Sequence, residues 1–209
     1  EDCLDFNENE MQLLREEAML FSITLNEIRY QLNIQINSEH LFFEFEEIDA
    51  LNVELAQFQK FQTTLNRSNN IWQTLSDSIY KIIGFDRIMI YQFLEDQSGQ
   101  VIAESVHGNL APVLGFRYPE FDIPAQARAI FVHNHSRQTP NIFAKPVNLI
   151  GKSVHEIDLS NSQIRQMSPI HLKYLENTEV TASASFSIIV ENKLWGLVCC
   201  QHQSPKYIT

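Results

Sequence analysis

The chain has 209 residues, 44% hydrophobic and 20% charged, which is material for one large domain or one and a half small ones and too little for a multidomain machine. Its formal net charge of -11 is uneven: residues 1–60 hold 14 acidic side chains against Arg15, Arg29 and Lys60, and the remainder carries 12 of each sign. This balance argues against a nucleic-acid partner, the odd set Cys3, Cys199 and Cys200 argues for a reduced, cytoplasmic setting, and the short apolar runs argue against membrane insertion and export.

Met11, Leu14, Ala18 and Met19 recur at helical spacing behind an acidic first turn, which predicts a short helix over 11–20. Ile28, Tyr30, Leu32, Ile34 and Ile36 then alternate with polar residues. Asn37-Ser38 offers a turn, and Phe43 and Phe45 share a face of the next run, giving a hairpin with an acidic outer side. Leu51, Leu55, Phe58, Phe61 and Leu65 mark an amphipathic helix, and Ile71, Leu75, Ile79 and Ile82 mark another that Gly84 ends.

Beyond Gly84 the period drops to two. Residues 88–93 and 101–106 form a second hairpin around the polar turn Glu95 to Gly99. Pro124 suits the first turn of a helix running to about Asn134, with Asp122 as its cap. Residues 138–163, broken by Pro140, Pro146 and Gly151, read as a long loop. Ser168-Pro169 opens a helix to Asn177, and Val180 to Val190, Glu191-Asn192-Lys193 and Leu194 to Gln201 form a last hairpin. Antiparallel strands with helices gathered to the sides define an α+β fold, not a doubly wound parallel sheet. The chain has no glycine-rich phosphate loop, metal-spaced Cys/His cluster or nucleophile elbow.

The polar candidates that this periodicity places near the inner side of the layer are Tyr91, Asp122, Arg128, Arg137, Arg165, Ser168, His171, Tyr174, Ser183 and Ser185. His171 and Tyr174 share a helix face, and Ser183 and Ser185 share a strand face. Arginines, hydroxyls and a histidine around one cavity suit an anionic ligand with carboxylate tails, because guanidinium grips carboxylate in a fork. Met89, Tyr91, Phe116, Tyr118, Phe121, Phe131 and Ile170 supply the apolar wall that a ring system requires. Surface arginines and core aromatics are the competing reading of the same spacing.

Three sets of residues carry a resemblance. They are Gly84-Phe85-Asp86-Arg87-Ile88-Met89-Ile90-Tyr91; Leu114-Gly115-Phe116-Arg117-Tyr118-Pro119 leading into Asp122-Ile123-Pro124-Ala125-Gln126-Ala127-Arg128; and Ser168 to Asn177 followed by Leu194-Trp195-Gly196-Leu197. In this order they resemble the bilin-binding GAF domain of phytochromes, bacterial ones above all, over about residues 70–205. Residues 11–47 resemble the later part of the PAS domain that precedes it in bacterial phytochromes. The resemblance thus divides the chain into a partial PAS-like segment, 1–49, and an antiparallel-sheet GAF domain flanked by helices, 50–209.

The resemblance implies a ligand, biliverdin or a similar linear tetrapyrrole, and a role for each matching residue. Asp122, with the Ile123 carbonyl and Pro124 behind it, sits beside the pyrrole nitrogens, where a carboxylate stabilises a protonated bilin. Tyr91 packs around the D ring. Arg137 and Arg165 pair with one propionate, and Ser183, Ser185 and His171 hold the other. Met89, Val101, Tyr118 and Ile170 form an apolar cage, with Ser168 and Tyr174 on the same helix as His171.

Three departures from that family's pattern stand out: the attachment cysteine, residue 201 and residue 131. Ile170 stands where plant and cyanobacterial phytochromes carry the thioether cysteine, so attachment there is excluded. Cys3 is the N-terminal thiol left for attachment, with a spacing to the hairpin much shorter than the family's and an incidental thiol as the competing reading. Gln201 replaces a histidine that hydrogen-bonds the D-ring carbonyl, and Phe131 replaces a tyrosine.

The implied function is a light-sensing module, not an enzyme, that responds by D-ring isomerisation and acts as the input part of a cytoplasmic receptor. A homodimer is expected through helices 51–65 and 71–82, and the sequence carries no PHY or histidine-kinase output residues. The alternatives are a chromophore-free GAF domain with a regulatory or dimerisation role and, less well matched, a cyclic-nucleotide GAF domain.

Overall fold

The computed structural model describes residues 19–36, 40–47, 55–151, 154–160, 162 and 165–208. The chain divides into two compact units, Glu1–Asn52 and Val53–Ile208.

In the first unit, β1 (Met19–Leu25), β2 (Ile28–Ile36) and β3 (Leu41–Glu47) form an antiparallel sheet in that order. The expected β2–β3 hairpin is present, with Leu32 opposite Phe45 and Ile34 opposite Phe43. Residues 11–18 and the Asn37-Ser38 turn lie outside the described residues. Met19 and Leu20, expected to end a helix, instead open β1 and face Ile34 and Asn33. Pairing with an adjacent strand overrides their helical spacing. Asn26 and Glu27, at φ 50° and 68°, supply the left-handed pair of a two-residue hairpin turn. Leu32 and Ile34 are buried, and so is Glu44, which corrects the expectation of a wholly exposed acidic side.

In the second unit, α1 (Leu55–Asn66) and α2 (Ile71–Ile83) precede β4 (Arg87–Phe93) and β5 (Gly99–Val106). Asn70 caps α2 by accepting from the Gln73 amide at 3.3 Å. Gly84, at φ 62°, ends it with its N–H on the Tyr80 carbonyl at 2.8 Å, because the left-handed residue closing a helix favours glycine. After β5 come the short β6 (Arg117–Tyr118), a 3-10 turn over Glu120–Asp122, and α3 (Ala125–His133). Next are β7 (Ser136–Thr139), α4 (Pro169–Asn177), and the hairpin of β8 (Ala182–Val190) and β9 (Lys193–His202).

Three sequence expectations are corrected here. Asp122 does not cap α3: it closes the 3-10 turn through its N–H on the Pro119 carbonyl, and Pro124 holds the cap position without a side-chain bond. The stretch read as loop from residue 138 begins inside β7, a four-residue polar edge strand with no apolar alternation to betray it. Lys193, read as turn, is the first residue of β9, since Glu191 and Asn192 alone make the turn at φ 50° and 59°.

The six strands run β6-β5-β4-β9-β8-β7, all neighbours antiparallel, which is the α+β arrangement expected. Strand alternation gives the sheet two different faces. Ile88, Ile90, Ala103, Ala182, Ala184, Val198 and Cys200 pack with Phe85 against Trp72, Leu75, Ile79 and Ile83 around α2. Met89, Tyr91, Val101 and Leu197 point the other way and gather Tyr118, Ile123, Phe131 and Cys199. A register shift between Ile90 and Tyr91 sets Ala103 opposite Ile90 and Val101 opposite Tyr91, which keeps both pairs on their own faces.

Candidate functional site

The sequence candidates gather on the second face of the sheet. Tyr91 is at the centre: its ring lies 5.9 Å from that of Tyr118 and 5.3 Å from that of Phe93. Burial, reinforced by Cys199 and Asp122, pushes its hydroxyl up to about 12. The Tyr118 and Tyr174 hydroxyls are hydrogen-bonded to one another, and burial is the main cause that raises both. Asp122 is exposed yet acts electrostatically on all three tyrosines, and partial desolvation raises its own carboxyl. Ile123 packs into the same cluster, and Pro124 starts the helix behind it.

From Tyr174 the site continues along α4. Ser168 caps this helix by accepting from the His171 N–H at 3.2 Å, so its hydroxyl fixes the turn that carries His171. The His171 and Tyr174 rings are 5.8 Å apart. Burial first, and then the Arg137 cation, lower the His171 pKa, so the ring is neutral at pH 7. Arg137 sits on β7 opposite Ser185, and Ser183 lies two residues along β8, opposite Thr139 and Gln201. Ser185 also hydrogen-bonds the half-buried Cys199 thiol, whose pKa desolvation pushes up to about 12.

Arg137 and Arg165 form the cationic end. Arg137 donates from Nη2 to the Arg165 carbonyl at 3.3 Å. The Nε atoms of both side chains are buried without a hydrogen-bond partner among the described residues. Desolvation and then the neighbouring Arg165 depress Arg137 to about 10. The exposed Asp158 feels the Arg165 charge, but the described residues form no ion pair with either arginine.

Two candidates stand apart. Ile170 is 85% exposed on the first turn of α4 and lines a shallow apolar depression with Pro169, Lys173, Tyr174 and Asn177. Cys3 lies outside the described residues. Gln201, by contrast, is buried on the face it shares with Cys199, two residues before it on β9.

Sequence reasoning missed Arg87 and Glu104. Arg87 Nε lies 3.1 Å from Glu104 Oε1, its Nη1 donates to Gln201 Oε1 at 2.7 Å, and its Nη2 donates to the Ala111 carbonyl. Glu104 in turn accepts from the Val113 and Leu114 amides at 2.9 Å each. The one signal available was an acid and a base each inside an otherwise apolar strand, since such groups are rarely buried unless paired. Arg128, weighed as a candidate, covers the Phe93 ring at 5.2 Å and bonds Gln97 and Glu120. Among the described residues no cluster of His, Cys, Asp or Glu could hold a metal ion, and no helix is long and apolar enough to cross a membrane.

An antiparallel six-stranded sheet with α2 on one face and this polar, aromatic cluster on the other belongs to a known class, and the GAF domain model matches residues 69–209. The chain belongs to the GAF domain family. Within it the chain is similar to phytochromes: it is 43% identical over 173 residues to cyanobacterial phytochrome B of Nostoc sp., covering 81% of this chain and 22% of that protein. It is 38% identical over 182 residues to a bacteriophytochrome of Pseudomonas aeruginosa, covering 81% of this chain and 24% of that protein. The crystal structure of the chromophore-binding domain of an unusual bacteriophytochrome from R. palustris superposes with a TM-score of 0.78 at 30% identity, over 92% of this chain and 67% of that one. The chain spans about a quarter or less of the length of these curated relatives.

Proposed function

We propose that this chain is a light-sensing module that binds a linear tetrapyrrole, biliverdin, on the Tyr91 face of its sheet. The observation that carries the reading is the pair of adjacent half-buried arginines, Arg137 and Arg165, whose buried Nε atoms have no partner among the described residues. Holding two like charges together, partly out of water, is costly unless an anion joins them. An elongated ligand with carboxylate tails at one edge and apolar rings along the rest meets that need, and the similar solved domain is itself the chromophore-binding domain of a bacteriophytochrome.

In this reading Arg137 and Arg165 hold one carboxylate tail, and Ser183, Ser185 and the neutral His171 hold the other. Asp122 places a carboxylate where ring nitrogens carry positive charge, which favours their protonated form. Tyr91, Met89, Val101 and Tyr118 confine the far end. The bilin, when bound, supplies light absorption and isomerisation about the double bond beside its D ring. The protein itself orients and protonates the ligand and performs no turnover. The same reading makes the chain the input part of a cytoplasmic signalling receptor. A homodimer is supported by the exposed Ile71 and Ile82 of α2.

Adding biliverdin to the purified chain and recording absorbance from the near-ultraviolet to the far red tests this reading. A strong red band that changes under illumination is the expected result. An unchanged free-bilin spectrum would leave a chromophore-free GAF domain. Zinc-stained denaturing gels of the parent and of Cys3→Ser report whether attachment is covalent.

A further inference from the structure

Arg128, weighed from the sequence as a grip for the ligand's acid groups, has other partners. It stands in the first turn of α3, its N–H on the Pro124 carbonyl at 3.1 Å, with a side chain only 11% exposed. Nη1 donates to Gln97 Oε1 at 2.8 Å, and Nη2 lies 3.3 Å from Glu120 Oε1. These partners belong to two separate segments. Gln97 takes a left-handed φ of 65° in the turn between β4 and β5, and Glu120 opens the 3-10 turn that Asp122 closes. One guanidinium thus joins α3 to both, which its planar fork allows and a single ammonium does not.

The face of the same group covers an aromatic ring. Arg128 Cζ is 5.2 Å from the centroid of Phe93, a distance at which cation and ring attract. Phe93 in turn meets the Tyr91 ring edge-on, with centroids 5.3 Å apart and planes at 78°. From β5 the Gly99 backbone approaches the same tyrosine so closely that a Cβ has no room. Tyr91 is therefore confined by a glycine and a phenylalanine, and the phenylalanine is held by Arg128. The guanidinium is near enough for its charge to act on the Tyr91 hydroxyl, where it opposes burial and Asp122. Arg117 holds the same β4–β5 turn through Asp96 at 2.8 Å and Ser98 at 2.9 Å, but from an exposed position, with 55% of its side chain accessible.

We infer that Arg128 is a positioning residue for the light response: by fixing Phe93 and tying the β4–β5 turn to the Glu120–Asp122 turn, it holds the Tyr91 ring in one orientation and so restricts the ligand ring packed on it. The last step rests on the bilin reading above and adds a regulator to that site. The holding of Tyr91 is a property of the ligand-free protein. Arg128 touches its partners and not the ligand, so it governs what the excited ligand does and leaves binding to Arg137 and Arg165.

Two measurements test the two steps. In the ligand-free protein, carrying carbon-13-labelled tyrosine, nuclear magnetic resonance reads the flip rate of the Tyr91 ring. Arg128→Met should speed it by about tenfold, the scale of one lost contact in a rotation barrier. Arg128→Lys, which covers the ring or meets Glu120 but cannot span both turns, should fall between. Gln97→Ala and Glu120→Gln alter exposed partners that folding does not need, and each should give part of the acceleration. Arg117→Gln should keep the parental rate. A parental rate in Arg128→Met, no acceleration in either partner variant, or an equal acceleration in Arg117→Gln overturns the positioning role, the last because it would reduce Arg128 to a stabiliser of the turn. In the biliverdin-loaded protein, Arg128→Met should keep its affinity within about threefold of the parent while the fluorescence lifetime of the ligand shortens. A parental lifetime beside a faster ring overturns the link to the light response. Failure of the parent to take up biliverdin overturns the bilin reading instead, and leaves the ring-flip result standing.

Discussion

Arg137 and Arg165 lie against one another at the β7 edge of the sheet, joined by a bond from one guanidinium to the other's backbone carbonyl, while no carboxylate among the described residues is ion-paired with either. Desolvation and the neighbouring Arg165 both disfavour the Arg137 charge. Since a guanidinium does not surrender its proton in practice, the cost appears as lost stability of the ligand-free fold. Arg137→Gln should therefore leave the ligand-free protein as stable as the parent or up to about 2 kcal/mol more stable. The same change should weaken biliverdin binding by about tenfold to a hundredfold, the scale of a charge-assisted contact. Urea denaturation without ligand and absorbance titration with it measure the two opposite effects.

Gly99 sets the position of the Tyr91 ring. A Cβ placed on Gly99 would stand 1.9 Å from the Tyr91 Cζ and 2.0 Å from its hydroxyl oxygen. The ring is buried among Phe93, Tyr118 and Met89 and has little room to retreat. Gly99→Ala should cost about 1–3 kcal/mol by overpacking and displace the ring. Tyr91→Phe, which keeps ring and volume, should leave stability within about 1.5 kcal/mol of the parent. Thermal unfolding separates the two variants, and an alanine variant of parental stability would show that the ring moves freely.

Much of this site was legible before any coordinates because it is written in strand alternation. Ile88 and Ile90 against Met89 and Tyr91 divide helix side from ligand side without further information, and His171 and Tyr174 follow from helical spacing. Arg137 was legible as a candidate, but its strand was not: Ser136 to Thr139 is polar and short, and becomes a strand only by pairing with Ser183 to Phe186. Asp122 as a helix cap failed because proline two residues on takes the cap position itself. Arg87, Glu104 and Gln201 are far apart in sequence, so no local pattern reports that they meet, and Gln201 stood out only through the resemblance.

Asp122 is exposed, and its carboxyl is raised by partial desolvation alone, which means that no cation in the ligand-free protein holds it charged. A protonated tetrapyrrole beside it would do so. By reciprocity the carboxylate raises the pKa of the bound bilin. Asp122→Asn should lower that pKa by about one unit or more, so the red band of the loaded protein gives way at a correspondingly lower pH. An absorbance titration between mildly acidic and alkaline pH reads the shift directly, and a curve superimposable on the parent's would remove Asp122 from the protonating role.

His171 provides the pH dependence of the ligand-free fold. Its folded pKa lies below 6.5 because burial, and then Arg137, disfavour the imidazolium. Below 6.5 the unfolded chain therefore binds a proton that the folded chain refuses, and stability must decline as pH falls from 6.5 through the folded pKa. His202 slopes the same way, its pKa lowered chiefly by burial against the opposing pull of Asp86, whose carboxylate lies 2.8 Å from its Nδ1. His171→Gln should flatten part of the decline between about pH 7 and 5, and His202→Gln another part, with the double variant flattest. Denaturant midpoints across that range measure the slope. When biliverdin is present its carboxylates offset the Arg137 charge, so the His171 share of the slope should shrink in the parent and stay absent in His171→Gln.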